Sequence, residues 1–341
     1  MNNQNVFSLN CWHKNISNVD HNTAMQMHVS VPIDAQNSRS LTVIIKSTKW
    51  LKHVELLGEP LIQYNDFEPN IAANAGSINH DFANEMAKNK VDYCYFRNVR
   101  ENSLLHKWLE DKGTITATKL APFVDLTDMN SMADYYAFLS AKTRKSRRRR
   151  AKKLAAKFVV EFSTFMDTDI EPDLVDQVLN LKKLQLARSG LSSRLFSSEQ
   201  KLNRLKNLIL SGDKSFKAVI SVLKCDGRIA AAEIGYLYGD TYYSFLGTMD
   251  EEFHAYSPGS CQLLKTIEWA IDNQVKIFDL LAPEDAYKFS WTRENKVKVY
   301  DILLPFSLKG RLFGNVYYRV LRPRLKQFYF WYKKSNKKTK R

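Results

Sequence analysis

Phe216-Lys217-Ala218-Val219-Ile220-Ser221-Val222-Leu223-Lys224, Cys225-Asp226-Gly227-Arg228, Ile229-Ala230-Ala231-Ala232-Glu233-Ile234-Gly235-Tyr236-Leu237-Tyr238, Gly239-Asp240 and Thr241-Tyr242-Tyr243-Ser244-Phe245-Leu246-Gly247 follow one another without a break, and the fold class turns on them. β-Branched and aromatic residues fill the three longer runs, and Asp-Gly and Gly-Asp pairs separate them. Such pairs tolerate the positive φ of a tight hairpin, so the stretch reads as three antiparallel strands in a meander. Downstream, Gln262–Asp272 reads as a helix, Lys276–Leu281 as a strand, Asp285–Trp291 as a short helix and Val297–Leu304 as a last strand. Upstream, Glu171–Ser189 and Ser198–Ser211 read as helices, and Val159-Val160-Glu161-Phe162 opens a strand.

Further toward the N-terminus, Asp128 to Phe158 reads as one helix, or two broken near Thr143, with Asp128 or Asn130 as N-cap. Phe138, Leu139, Leu154 and Phe158 supply its apolar stripe and arginines cover much of the rest. The first 127 residues are α/β in character. Leu41–Ile45, Val91–Phe96, Thr114–Thr118 and Ala121–Leu126 are strand-like, and residues 79–90 and Ser103–Asp111 are helical candidates. A turn at Gly58-Glu59-Pro60 and a loop near Asp66–Pro69 lie between them, and residues 1–40 show little periodicity. The expected division is therefore 1–127, a basic linking helix at 128–158, a C-terminal domain at 159–305 and a basic aromatic tail at 306–341.

The chain has 341 residues, 44% apolar and 26% charged, with a formal charge of +15. That size suggests two cores, and that balance suggests a globular protein. The longest apolar runs fall far short of the roughly 20 residues that cross a bilayer. The first residues lack the pattern of a signal peptide. The four cysteines, Cys11, Cys94, Cys225 and Cys261, are far apart, so reduced thiols and a cytoplasmic setting are expected. His13 and His21 lie near Cys11, but their spacing fits no zinc module, and no metal is expected.

The positive charge is concentrated. Residues 142–157 hold ten Lys or Arg and no acid, and residues 302–341 hold twelve more, again with no acid. The remainder is net acidic, which points to local anionic contacts rather than to a surface that coats nucleic acid. No RRM, KH or zinc module is visible, so the Arg147–Arg150 run reads first as a solvated helix face. Phe328-Tyr329-Phe330-Trp331-Tyr332 followed by lysines suits a bilayer interface and suggests peripheral membrane contact.

Two constellations could carry chemistry. In Tyr256-Ser257-Pro258-Gly259-Ser260, Ser257 can cap a helix and Pro258 fits its first position, leaving amides near Gly259 and Ser260 to cradle a pyrophosphate. The alternative is a capped helix with no ligand, flanked by Asp250, Glu251 and Glu252, which repel an anion unless they turn away. In the second, Asp279 lies inside an apolar strand and Tyr287, Lys288 and Trp291 share the next helix. There Tyr287 could protonate a leaving thiolate and Lys288 could hold a phosphate. The alternative there is a core aromatic pair with an exposed lysine. Glu233, a charge among alanines in the middle strand, is the leading general-base candidate, and a solvent-facing strand glutamate is its alternative.

Residues 145–300 resemble the GNAT-superfamily acetyltransferases of cellulose and other exopolysaccharide synthesis, those with a BioF2-like acetyltransferase domain. The blocks that carry the likeness are Arg144–Lys153, Tyr256–Ser260, and Asp279 followed by Tyr287-Lys288 and Trp291. The chain has Pro283-Glu284 where relatives commonly have Gly-Asp, and lacks the usual glutamine/arginine-x-x-Gly-x-Gly/Ala loop. The domain is also similar to the Fem-type peptidyl transferases, which pair two GNAT-like halves. The resemblance implies an α/β (α+β) fold in which a GNAT-like mixed sheet is flanked by helices, a degenerate N-terminal half preceding the C-terminal GNAT domain. It implies an acyltransferase that uses acetyl-CoA or another acyl-CoA on a small-molecule or glycan amine or hydroxyl. Glu233, Asp279 and Tyr287 would be catalytic, and Ser257, Gly259, Ser260 and Lys288 would bind the donor. Two other readings stand beside it: aminoacyl transfer from charged tRNA, with the basic helix as the tRNA contact, and a non-catalytic module that grips RNA or anionic membrane.

Overall fold

The computed structural model describes residues 5–9, 12, 24–32, 38–56, 58, 61–68, 82–325 and 327–328. Cys11, His13, His21, Glu59, Pro60, Pro69, residues 79–81 and residues 329–341 of the aromatic-lysine tail lie outside the described residues. In chain order the elements are β1 (Ala24–Pro32), β2 (Ser38–Ser47), β3 (Lys52–Leu56), α1 (Phe82–Lys88), β4 (Tyr93–Arg100), α2 (Leu104–Leu109) and β5 (Thr114–Asp125). Then come α3 (Met132–Phe138), α4 (Ala141–Ala155), β6 (Val160–Met166), α5 (Pro172–Ser189), α6 (Glu199–Ile209), β7 (Lys217–Cys225), β8 (Arg228–Tyr238) and β9 (Thr241–Met249). The last are α7 (Pro258–Asp272), β10 (Ile277–Asp279), α8 (Ala286–Thr292), β11 (Lys296–Pro305) and α9 (Leu308–Gly314), which runs into a π-type segment, Asn315–Leu321.

The chain divides into two compact units, Met1–Lys119 with Lys298–Arg341, and Leu120–Val297. Each is a mixed sheet flanked by helices. These bounds differ from the four segments expected. Most of the last strand, β11, pairs antiparallel with β4 in the first unit, whereas α3 and α4 belong to the second.

In the first unit the strands run β1-β2-β3-β4-β11, with β3 and β4 parallel and the other pairs antiparallel. Its core packs Val29, Val43, Val54 and Phe96 of the sheet against Phe82 and Met86 of α1 and Leu105 and Leu109 of α2. β1 and β3 are additions to the sequence reading. β1 alternates Met27, Val29 and Val31 inward with polar residues between, a strand pattern hidden among Asn- and Ser-rich neighbours. Thr114–Thr118 and Ala121–Leu126 join into the single strand β5.

In the second unit the order is β5-β10-β9-β8-β7-β6. The expected meander is β7-β8-β9, antiparallel throughout, and its first turn places Asp226 and Gly227 at φ 49° and 77°. β10 lies parallel to β9 and antiparallel to β5. α7 begins at Pro258, the first helical position that proline was read to fill, a turn ahead of the Gln262–Asp272 span. The basic helix breaks at Leu139-Ser140 rather than near Thr143, because Leu139 is extended and Ser140 caps α4 by accepting from Thr143 N. Ser131 takes the N-cap of α3 that Asp128 or Asn130 was expected to fill, and Asp134 returns a bond to Asn130 N. Leu263, Ile267 and Ile271 of α7 pack on Tyr242 and Phe278, and Leu154 of α4 joins Leu223, Cys225 and Cys261.

Candidate active site

The middle strand of the meander positions Glu233. It is buried, so the solvent-facing alternative does not hold. Tyr242 Oη donates to its Oε1 and Ser244 Oγ to its Oε2, each at 2.8 Å. Two glycines make this geometry possible. A Cβ on Gly235 would stand 2.2 Å from Tyr242 Oη, so only a glycine lets that ring cross the strand to reach the carboxylate. Gly247 pairs with Glu233 across the ladder and leaves its surroundings open. Between these positions the register slips: Ile234 faces Leu246 and Gly235 faces Ser244, so Phe245 is an extra residue on β9. Such a bulge bends a strand and re-aims its side chains. Burial pushes the Glu233 carboxyl up to about 7, the two hydroxyls pulling the other way.

Beside β9 the sheet opens. β10 pairs with β9 only from Thr241 to Tyr243, while β9 continues to Met249. The loop that follows β10 begins where this pairing ends. Asp279 and Lys288 shape this loop. Asp279, buried, accepts from Leu281 N at 2.8 Å. Lys288, also buried, donates from Nζ to the carbonyls of Leu281 and Pro283, both at 2.8 Å. Lys288 is therefore anchored to backbone carbonyls and is not presented to a phosphate, contrary to expectation.

Tyr287 is more than half exposed, at 56%, and Trp291 is fully buried, so the core pair with an exposed lysine is reversed. Partial burial, then the negative charges of Glu233 and Asp285, push the Tyr287 phenol up to about 12. Asp279 turns its Oδ1 into the loop.

The basic helix contributes what the sequence reading missed. Arg147 is buried at 6% exposure, and its guanidinium lies 3.4 Å from the centroid of the Trp291 ring. It donates to Ser260 Oγ at 3.0 Å and to Ser290 Oγ at 2.5 Å, and Arg150 reaches Ser260 Oγ at 3.3 Å. Burial pulls Arg147 down to about 10, which leaves it charged at neutral pH. Two cations thus meet at the first turn of α7, and the solvated-face reading of the arginine run fails for these two. One signal was legible: Arg147, Arg150 and Leu154 recur at helical spacing and mark one face.

At the start of α7, Ser257 sits at φ 55°, ψ 51° and its side chain makes no cap bond, so the expected serine cap is not formed. Its carbonyl instead accepts from Ser260 N and Cys261 N. Of the first-turn amides, Gly259 N–H precedes any intrahelical acceptor. Two of the three upstream acids are paired: Asp250 with Arg228 and Arg188, and Glu252 with Arg228. Among the described residues no three His, Cys, Asp or Glu side chains gather as a metal site.

An antiparallel meander, a bulge beside a buried carboxyl, a short parallel strand and a cationic helix start make up a GNAT-like mixed α/β sheet flanked by helices. Residues 141–289 match the family model for the acetyltransferase (GNAT) domain. Over the whole chain the fold is similar to that of FemX, at 10% identity and TM-score 0.58, covering 92% of this chain and 95% of that one. It is also similar to the C-terminal domain (DUF2156) of a putative lysylphosphatidylglycerol synthetase from Agrobacterium fabrum, at 14% identity, TM-score 0.54 and coverage of 91% and 90%. L-PGS from Bacillus licheniformis shares the fold at 11% identity and TM-score 0.52, with 87% and 89% covered. No curated protein matches the chain in sequence. Among the described residues no helix is long and apolar enough to cross a membrane.

Proposed function

We propose that the chain is an acyl-CoA-dependent acyltransferase, with acetyl-CoA the first donor to test, acting on an amine or hydroxyl of a glycan or cell-envelope acceptor. The convergence of Arg147 and Arg150 on Ser260, beside the Gly259 amide, is the observation that carries this reading. Charge-assisted bonds and a helix N-terminus together favour a diphosphate, the group that links the two halves of coenzyme A. Ser257, Gly259 and Ser260 line that position in this reading, and Asp279 and Lys288 hold the neighbouring loop. The acceptor nitrogen or oxygen attacks the thioester carbonyl, forming the new C–N or C–O bond as the C–S bond breaks. Its proton passes through the Ser244 hydroxyl to Glu233, whose value near 7 suits a general base at neutral pH. The departing thiolate meets the Tyr287 hydroxyl, which takes its replacement proton from solvent.

A second reading takes an aminoacyl group from charged tRNA. Arg144, Lys145, Arg148, Arg149 and Lys152 line a groove on the outer side of α4, which suits a phosphate backbone, and the fold is shared with FemX. Isothermal titration with coenzyme A, acetyl-CoA and charged tRNA separates the readings. Coenzyme A binding that weakens about tenfold in Arg150→Ala supports the first. Absent coenzyme A binding with saturable binding of charged tRNA supports the second. Salt-sensitive binding of any polyanion, with no turnover, would leave a non-catalytic module.

A further inference from the structure

α9 and the helical residues after it are apolar on two sides. The inner side is made by Gly310, Gly314 and Tyr318. A Cβ on Gly310 would lie 2.0 Å from the Asp92 carbonyl oxygen, so close packing on the backbone requires that glycine, and one on Gly314 would lie 2.3 Å from the end of the Leu303 side chain. Tyr318 stacks on Tyr95 with ring centroids 3.8 Å apart. A docked helix ordinarily turns a polar face outward. Here Leu308, Leu312, Val316 and Val320 recur every four residues on the outer side and are exposed, Leu308 at 84% and Leu312 at 69%. Trp50, at 71% exposure, joins them where a groove of about 870 Å³ runs between Leu51, Tyr93, Phe313 and Tyr317. Continuous apolar exposure of this kind marks a surface made to be covered.

Charge selects what covers it. Lys309, Arg311, Arg319 and Arg324 are exposed around the stripe, and the chain from residue 302 to 341 contains no acid. A second copy of the chain meeting this face symmetrically would set the same cations against each other. A nucleic acid would use the cations and stack on Trp50, but it would leave the aliphatic stripe of Leu308, Leu312, Val316 and Val320 facing water. An anionic lipid surface uses both sets: aliphatic side chains and a tryptophan enter at headgroup depth while lysines and arginines meet lipid phosphates. We propose that this face of the first unit docks on an anionic bilayer through Trp50 and the Leu308-Leu312-Val316 stripe. The contact is independent of the donor chemistry assigned to the second unit.

Flotation of the full-length protein with vesicles tests this. The protein is expected to float with equimolar phosphatidylglycerol and phosphatidylcholine and to stay behind with phosphatidylcholine alone. Leu308→Ser/Leu312→Ser, on exposed positions, is expected to keep the wild-type melting temperature and lose about tenfold in partitioning. Lys309→Glu/Arg311→Glu is expected to lose the dependence on anionic lipid. The proposal is overturned if the wild type does not float at low salt. It is equally overturned if the serine double variant floats as well as wild type, since the contact is then electrostatic adsorption alone. A concentration-dependent dimer that the serine variant dissolves, without vesicle binding by wild type, assigns the face to a second copy instead.

Discussion

Glu233 and Arg147 are both buried charges, and the environment treats them differently. The carboxyl of Glu233 has two hydroxyl donors, yet burial holds its folded value near 7, above the ordinary 4.5. The folded state therefore binds this proton more tightly than the unfolded chain does. The stability it contributes is complete below about pH 4.5 and is lost as pH rises through about 7, an effect of about 3 kcal/mol. Urea denaturation across that range is expected to show the decline in wild type and a flatter curve in Glu233→Gln. Turnover should rise with pH through about 7 and fall about 10²-fold in the same variant. Arg147 is fixed by Ser260, Ser290 and the Trp291 ring, so Arg147→Ala is expected to cost about 2–4 kcal/mol, read by thermal or urea melting. Arg150→Ala should leave stability within about 0.5 kcal/mol and weaken only donor binding.

At the scale of elements, the loop between β10 and α8 is held from both ends by side chains. Asp279 accepts from Leu281 N, Lys288 caps two carbonyls, and Glu284 accepts from Leu120 N at 2.7 Å. Burial also pulls the Lys288 ammonium down. Lys288→Met keeps the side-chain length but leaves the carbonyls of Leu281 and Pro283 without that donor. A loss of about 1–3 kcal/mol is expected, with faster hydrogen exchange at 280–285 than in wild type. Lys288→Arg is not an equivalent rescue, because a planar fork does not reproduce a point donor in a closed space.

Over the whole molecule, the site elements all come from the second unit, Leu120–Val297. Saturating coenzyme A should therefore slow hydrogen exchange in 141–160, 247–262 and 280–292 and leave β1–β4 unchanged. At about a hundred times its dissociation constant the ligand adds roughly 2.7 kcal/mol to the stability of what it binds. Uniform protection of both units, or none in α4, would contradict the assignment of the donor to the start of α7. The charge distribution also acts at this scale: the basic stretches at 142–157 and 302–341 lie in different units and serve different surfaces in the readings proposed here.

How far the sequence alone reaches depends on the range of the forces involved. The meander, its turns and the helices on either side were legible, because strand alternation, Asp-Gly turns and helical spacing are local properties. The GNAT class came instead from the resemblance carried by Arg144–Lys153, Tyr256–Ser260 and the Asp279, Tyr287-Lys288 and Trp291 block. Glu233 stood out for the same reason, as a charge in an apolar strand. What the local pattern could not say is where those groups meet. That Tyr242 reaches Glu233 depends on the missing Cβ of Gly235 and on a bulge set by two strands together. That Lys288 is buried and Tyr287 exposed depends on how α8 lies over its own loop. Arg147 and Ser260 are 113 positions apart, and their meeting follows from the packing of α4 on α7. Composition made β1 look like irregular chain, although β2 pairs with it and Phe82 and Met86 share the core with its Val29 and Val31. Local propensity thus determined the parts; burial, register and long-range packing, which depend on the folded neighbours, decided which charges face one another.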